Sequence, residues 1–164
     1  MLKDISLCGS AQAQGLDALL RKYQMELEWV PDGEPIPGSH FGEPEAGLIG
    51  NRLLVRRDTP IHSALHETCH YICMDSQRRA ELHTDAGGDY TEENGVCYLQ
   101  ILLGGELPGY SQQRMLQDMD SWGYTFRLGS STAWFHEDAD DARDWLLCHG
   151  LIDKNEKPSR KVRG

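Results

Sequence analysis

The spacing of hydrophobic residues predicts a helix and a small group of strands in the first third of the chain. Apolar residues recur at helical spacing over residues 17–27, whereas residues 26–30 alternate between polar and apolar as a half-buried strand does. A loop rich in proline and glycine follows over residues 32–47. Residues 48–49 and 53–55 then predict two short strands on either side of a tight turn.

Two later segments carry clear signals for the start of a helix. Thr59 and Pro60 suit the N-cap and the first helical position, and they predict a helix over residues 60–74. Thr91 is expected to cap a second helix over residues 92–103, because the acidic first turn there complements the positive end of the helix dipole.

The rest of the chain predicts loops, further helices and a free end. Residues 75–90 are polar and predict a loop with at most one turn of helix. Helices are predicted over residues 111–121 and 138–149, with an extended aromatic stretch over residues 123–128. The basic residues near the end predict a disordered tail over residues 157–164. The predicted fold class is α+β.

Composition and charge argue against membrane and nucleic-acid partners. Hydrophobic residues make up 39% of the 164 residues, but no run approaches the roughly 20 apolar residues of a membrane-spanning helix. The net charge of −10 repels nucleic-acid phosphates and anionic membranes. Five cysteines cannot all pair within the chain, and the first residues are too polar for a secretory signal. We therefore expect a single cytoplasmic domain over residues 1–156 with reduced thiols.

His66, Glu67 and His70 form an H-E-x-x-H motif on the first of the two predicted helices. Histidines four residues apart project from one helical face, one turn apart, and can bind a single zinc ion. Glu67 is expected to take a proton from a metal-bound water molecule. The alternative is that the histidines make ordinary hydrogen bonds beside a packed core.

A catalytic zinc site also needs a third protein ligand. A third histidine of the extended motif would require glycine at position 73 and histidine at position 76, where this chain has Cys73 and Ser76. Glu92 at the start of the second helix shares a face with Gly95, so we expect Glu92 to point towards the first helix and Gly95 to permit close approach. Glu93 lies about 100° away on the helix and is expected to face solvent or to support a ligand. The alternative for both acids is stabilisation of the helix N-terminus.

The motif and its surroundings resemble the gluzincin branch of zinc metallopeptidases, especially the minimal cytoplasmic members. The resemblance covers about residues 16–103 and includes the second helix, which opens with Glu92-Glu93-Asn94-Gly95. The chain departs from the family pattern at Cys69, where a small or aliphatic residue is common. It departs again at Val96, where an acid often follows the glutamate ligand by four residues.

The resemblance implies a zincin-like domain in which a small sheet packs on the motif helix. It implies zinc binding by His66, His70 and Glu92, with Glu67 as the catalytic base. It also implies that the strand over residues 53–55 pairs with an extended substrate. The expected function is hydrolysis of peptide bonds in a peptide or protein substrate. The alternatives are a non-catalytic zinc-binding or partner-recognition domain and a helical partner module without metal.

Other side chains have two interpretations. His62 lies one turn before His66 and either lines the cleft or joins the ligands. Cys69 and Cys73 are either buried thiols or soft zinc ligands. Three residues could form a second, oxygen-rich metal site or a solvated loop, namely His83, Asp85 and Asp89. Two residues could donate a hydrogen bond to a tetrahedral oxyanion or belong to the core, namely Tyr124 and His136.

Overall fold

The structure, a computed structural model that describes residues 4–164, has an α+β fold that combines seven α-helices with a three-stranded sheet. Residues 1–3 of the predicted domain lie outside the described residues. The strands are β1 (Glu26–Trp29), β2 (Gly47–Ile49) and β3 (Arg52–Val55). The helices are α1 (Leu16–Arg21), α2 (Ile61–Cys73), α3 (Ser76–Ala80), α4 (Tyr90–Gly104), α5 (Gln112–Trp122), α6 (Ser131–Glu137) and α7 (Asp140–Cys148).

The sheet confirms the predicted strands and has β3 at its centre. Leu53 of β3 lies opposite Leu27 of the parallel strand β1 and opposite Leu48 of the antiparallel strand β2. Gly50 has a φ of 58° in the turn between β2 and β3, a conformation that glycine adopts without strain. The alternating apolar side chains of β2 and β3 are buried beneath α2.

Neither edge of β3 is open, so the implied pairing of residues 53–55 with an extended substrate is wrong. β2 forms one edge of the sheet. The backbone groups of β2 that point away from β3 are also hydrogen-bonded. The N–H of Leu48 donates to the carbonyl oxygen of Gly38 at 3.1 Å, and the N–H of Thr84 donates to the carbonyl oxygen of Leu48 at 2.9 Å. The chain thus closes this edge with its own loops.

Helix α2 lies within one residue of its predicted bounds and is buried along nearly its whole length. Its apolar residues pack against β2, β3, α4 and α5. The helix begins after Pro60, and the hydroxyl of Thr59 accepts a hydrogen bond from the N–H of Arg56 instead of capping the helix. The burial of α2 makes it the central element on which the candidate site is built.

Helix α4 begins two residues earlier than predicted, because Asp89 rather than Thr91 caps it. The Asp89 carboxylate accepts a hydrogen bond from the N–H of Glu92 at 2.9 Å. The helix packs against α2, α5 and α7 and is buried on almost every side. Gly95 allows the close approach of Trp145 on α7, not of α2 as expected. Within residues 4–164, no helix combines the length and apolar character needed to cross a membrane.

The C-terminal residues pack against the body of the protein, contrary to the predicted disordered tail. The N–H of Arg163 donates to the carbonyl oxygen of Ile72, and the N–H of Ser159 donates to the carbonyl oxygen of Leu151, both at 2.9 Å. The guanidinium of Arg163 also lies over the ring of Trp145. These contacts bring the tail to the C-terminal end of α2, beside the start of α4.

Candidate metal centre

The candidate site lies where polar stripes on α2 and α4 face each other inside the apolar core. The stripe on α2 contains His66 and His70, which are one turn apart. The stripe on α4 contains Glu93, Cys97 and Gln100, whose spacing places all three on one side of the helix. His66, His70, Cys97 and Gln100 are buried, so their polar atoms require partners, whereas Glu93 is half exposed.

Glu93 lies between the two histidines of the motif. Its Oε1 atom is 3.1 Å from Nε2 of His66, and its Oε2 atom is 3.3 Å from Nε2 of His70. Two donors bound to one tetrahedral zinc ion lie about 3.3–3.5 Å apart, because each ligand distance is about 2.0–2.2 Å. The separation of Glu93 from each histidine is close to this spacing, although the two contacts use different carboxylate oxygens. Within residues 4–164 the two sets of potential ligand atoms that lie within 4.8 Å of one another are His66 with Glu67 and His70, and His66 with Glu93 and Cys97.

Gln100 determines which nitrogen of His66 faces Glu93 as an acceptor. The Nε2 atom of Gln100 donates to the carbonyl oxygen of His62 at 3.0 Å, so its Oε1 atom faces Nδ1 of His66 at 2.8 Å. Nδ1 must then carry the proton, which leaves a lone pair on Nε2 in the neutral ring. That lone pair faces a carboxylate, so the contact is favourable only with a cation or a second proton between the two atoms.

The two histidines differ in how readily they take that second proton. Burial opposes protonation of His66, but Tyr124, Cys97 and Glu93 outweigh it and raise the pKa of His66. Burial, together with the charge of His66, lowers the pKa of His70 to about 4. His70 is therefore neutral near pH 7, which is the form that binds metal. Its buried Nδ1 atom has no hydrogen-bond partner within residues 4–164.

Glu67 is buried beside the same group, and a carboxylate oxygen of Glu67 lies within 4.8 Å of ligand atoms of His66 and His70. The pKa of Glu67 is raised to about 7, mainly by burial; the charge of His66 opposes the rise, and the carboxylates of Glu45 and Glu93 add to it. A carboxyl group with a pKa near the working pH exchanges protons readily. The environment of Glu67 is therefore suited to a general base.

Glu92 was expected to be the third ligand, but the structure does not bring it to this site. One carboxylate oxygen of Glu92 accepts from Arg78 at 2.6 Å, and the other accepts from Arg78 at 2.9 Å and from Arg163 at 3.0 Å. Glu92 is buried as expected, but it faces α3 and the C-terminal residues rather than α2. Glu93, expected to face solvent or to support a ligand, holds the position between the histidines.

The cysteines divide into one thiol beside the site and four elsewhere. All five thiols are free. Cys97 offers a sulfur within 4.8 Å of ligand atoms of His66 and Glu93. Cys69 and Cys73 are fully buried in the apolar core, and burial raises their pKa. Cys69 and Cys73 belong to neither of the potential ligand groups within residues 4–164.

The remaining predicted residues separate into neighbours of the site and residues away from it. His62 packs against Trp122 and Tyr124, and its Nδ1 atom lies 3.2 Å from the hydroxyl of Tyr124. Tyr124 also approaches the ring of His66, with ring centroids 5.8 Å apart. His136 is exposed on α6. Three residues form no potential metal cluster in the described part of the chain, namely His83, Asp85 and Asp89.

A cleft of about 190 Å³ opens onto the two histidines, Glu67 and Glu93. Its outer walls come from the loop that carries His40 and Phe41 and from residues 84–87. The N–H of Ala46 donates to the hydroxyl of Ser63 on α2 at 2.9 Å, which ties the first loop to the motif helix. Sequence reasoning missed His40 and Gln100. The spacing of Gln100 from Glu93, seven residues, is the signal that could have identified it.

Comparisons with models of known protein families, with curated proteins and with solved structures find no match for this chain. Function is therefore inferred from the arrangement of these side chains.

Proposed function

We propose that this protein is a zinc-dependent metallopeptidase whose ligands are His66, His70 and Glu93. The observation that carries the proposal is the placement of one half-exposed carboxylate, Glu93, against the Nε2 atoms of both motif histidines at 3.1 and 3.3 Å. The small sheet, the motif helix α2 and the ligand-bearing helix α4 also agree with a zincin-like domain. Five free thiols suit a reducing compartment such as the cytoplasm.

Zinc, when bound, would polarise the amide carbonyl of the substrate and make a water molecule more acidic. Glu67 would accept a proton from the attacking water and return it to the leaving amine, which balances the proton over the reaction. The burial that raises the pKa of Glu67 to about 7 favours both transfers. Tyr124 is the better placed of the two expected oxyanion donors, because it lies beside His66 whereas His136 is exposed.

One observation favours a second candidate, a non-catalytic zinc-binding domain. The thiol of Cys97 forms one potential ligand group with His66 and Glu93, and His70 lies 3.3 Å from Glu93, so a zinc ion there could draw on four protein side chains. A zinc ion enclosed by four protein ligands stabilises a fold and leaves no position for water or substrate.

Zinc content and hydrolysis, measured together, test the proposal. The dialysed protein should contain one zinc ion per chain by inductively coupled plasma mass spectrometry. The His66→Ala, His70→Ala double variant should contain none. A matched double variant, His83→Ala with His136→Ala, removes two exposed histidines and should keep the metal. Stoichiometric zinc in the first double variant would show that the site is wrongly assigned.

Glu67→Gln separates binding from chemistry, because Glu67 is proposed as a base and not as a ligand. The variant should keep its zinc and lose hydrolysis of casein or of a peptide mixture by at least about 100-fold. Hydrolysis at the parent rate would refute the role of Glu67. A zinc-loaded parent that cleaves no peptide would instead favour the non-catalytic domain.

A further inference from the structure

The edge strand beside the candidate site offers little backbone for an extended substrate. The peptide groups of Leu48 that point away from β3 are taken by Gly38 and Thr84. The next outward group, the N–H of Gly50, donates to the carbonyl oxygen of Leu82 at 3.0 Å. Strand addition depends on free N–H and C=O groups along an edge. Recognition of a substrate here must therefore use side chains rather than a β-ladder.

A second cavity shares Glu93 with the cleft of the candidate site. Its volume is about 570 Å³, and its lining includes Glu93 and Cys97 from α4. Glu93 also lines the small cleft that holds Glu67, so the two spaces share this carboxylate. A volume of this size falls within the range of sites that bind small organic molecules.

Four of the ten residues that line this second cavity are aromatic, and the lining also includes the charged side chains of Arg127 and Asp138. Phe126 stacks on Trp134, with ring centroids 4.7 Å apart and an interplanar angle of 23°. Tyr124 also lines the cavity and its ring centroid lies 5.8 Å from that of His66, and the lining residue Tyr90 is exposed. Aromatic rings attract another ring through offset or edge contacts in addition to the burial of apolar surface. The cavity thus suits an aromatic group.

We infer that the site selects short amide substrates that place an aromatic side chain in the cavity formed by Tyr124, Phe126 and Trp134. The inference rests on the proposed function, because the zinc ligands would hold the scissile amide next to this cavity. It specifies the substrate class: a short peptide with an aromatic residue at the cleaved bond, rather than an extended polypeptide held by strand pairing.

Binding of two hydroxamates to the zinc-loaded protein tests the inference without any turnover. Phenylalanine hydroxamate and alanine hydroxamate share the zinc-binding group and differ only in the phenyl ring. Isothermal titration calorimetry should show at least tenfold tighter binding of phenylalanine hydroxamate, which corresponds to about 1.4 kcal/mol.

Asn94→Phe should fill the cavity, because Asn94 lines it from the half-buried side of α4. The preference for phenylalanine hydroxamate should fall below twofold, while zinc content and alanine hydroxamate affinity stay unchanged. Asn155→Phe, the same substitution at an exposed position, is the matched control. Phe126→Ala provides a second test if Asn94→Phe does not fold, and it should also reduce the preference.

The outcomes separate this inference from the proposed function. Equal affinity for the two hydroxamates in a zinc-loaded parent overturns the inference alone. A preference that is lost in Phe41→Ala but kept in Phe126→Ala also overturns it, because the phenyl ring of the hydroxamate would then lie in the small cleft that holds Glu67. A preference without hydrolysis of any amide refutes the peptidase and the substrate class that rests on it, and leaves the cavity as a binding site for an aromatic ring. Failure to take up zinc overturns both.

Discussion

The Oε1 atom of Gln100 lies 2.8 Å from Nδ1 of His66, and this contact links the interior of α4 to the first histidine of the motif. Gln100 cannot rotate to offer its amino group there, because that group already donates to the carbonyl oxygen of His62. The amide therefore holds the His66 ring with Nε2 turned towards Glu93. Partners of this kind orient metal-binding histidines and raise their affinity for the ion.

Gln100→Leu should weaken zinc binding by about 10–100-fold, because the His66 ring loses its orientation. Competition with a chromophoric chelator measures the change. Gln100→Glu should retain most of the affinity, since a carboxylate also accepts the Nδ1 proton. Equal affinity in Gln100→Leu and the parent would show that Gln100 fills space and does not position His66.

Glu93→Ala should affect zinc binding, whereas Glu92→Ala should affect stability. Glu93→Ala should reduce zinc affinity by at least about 100-fold, because it removes a proposed ligand. Glu92→Ala should leave zinc affinity within a few-fold. It should lower the free energy of unfolding by about 2 kcal/mol, since Arg78 and Arg163 lose a buried carboxylate but remain partly exposed. Urea denaturation of metal-free proteins measures the second effect. Loss of zinc in Glu92→Ala alone would contradict the assignment of Glu93.

Cys97→Ser distinguishes the proposed peptidase from the non-catalytic domain. With three protein ligands, the variant should keep one zinc ion per chain and lose less than about tenfold in affinity, because the thiol is only a neighbour. Cys69→Ser with Cys73→Ser serves as the control and should also keep the metal, with some loss of stability from buried hydroxyls. A loss of zinc confined to Cys97→Ser would favour a closed site of four ligands.

His62 should make the metal-free protein less stable in acid. Burial, with the charge of His66, lowers the pKa of His62 to about 3 in the folded state, whereas the unfolded value is about 6.5. Below pH 6.5 the unfolded chain binds the extra proton, so stability falls as pH drops from about 6.5 towards 3. His62→Phe should reduce this slope by up to about 1.4 kcal/mol per pH unit. Urea titrations between pH 7 and pH 4.5 measure it, and parallel slopes would contradict a buried neutral His62.

The sequence by itself determined the elements whose signals are local. The two strands around Gly50 follow from a tight turn between apolar residues, and they appear as β2 and β3. The four-residue spacing of His66 and His70 places both rings on one face of any α-helix, and α2 brings their Nε2 atoms to the same carboxylate. These features depend on residues that are close together in the sequence, so tertiary packing did not change them.

Only the tertiary structure decided which acid of α4 faces the histidines. The prediction of Glu92 as the third ligand requires α4 to have a single apolar face turned towards α2. In fact α2, α5 and α7 enclose α4, so Glu92 is buried against Arg78 and Arg163 while Glu93 is directed at His66. A helix buried on almost every side gives little periodic signal for choosing among its faces. Arg163, one of the two arginines that bind the Glu92 carboxylate, is 71 residues away in the sequence. A contact between residues so far apart forms only when the chain has folded.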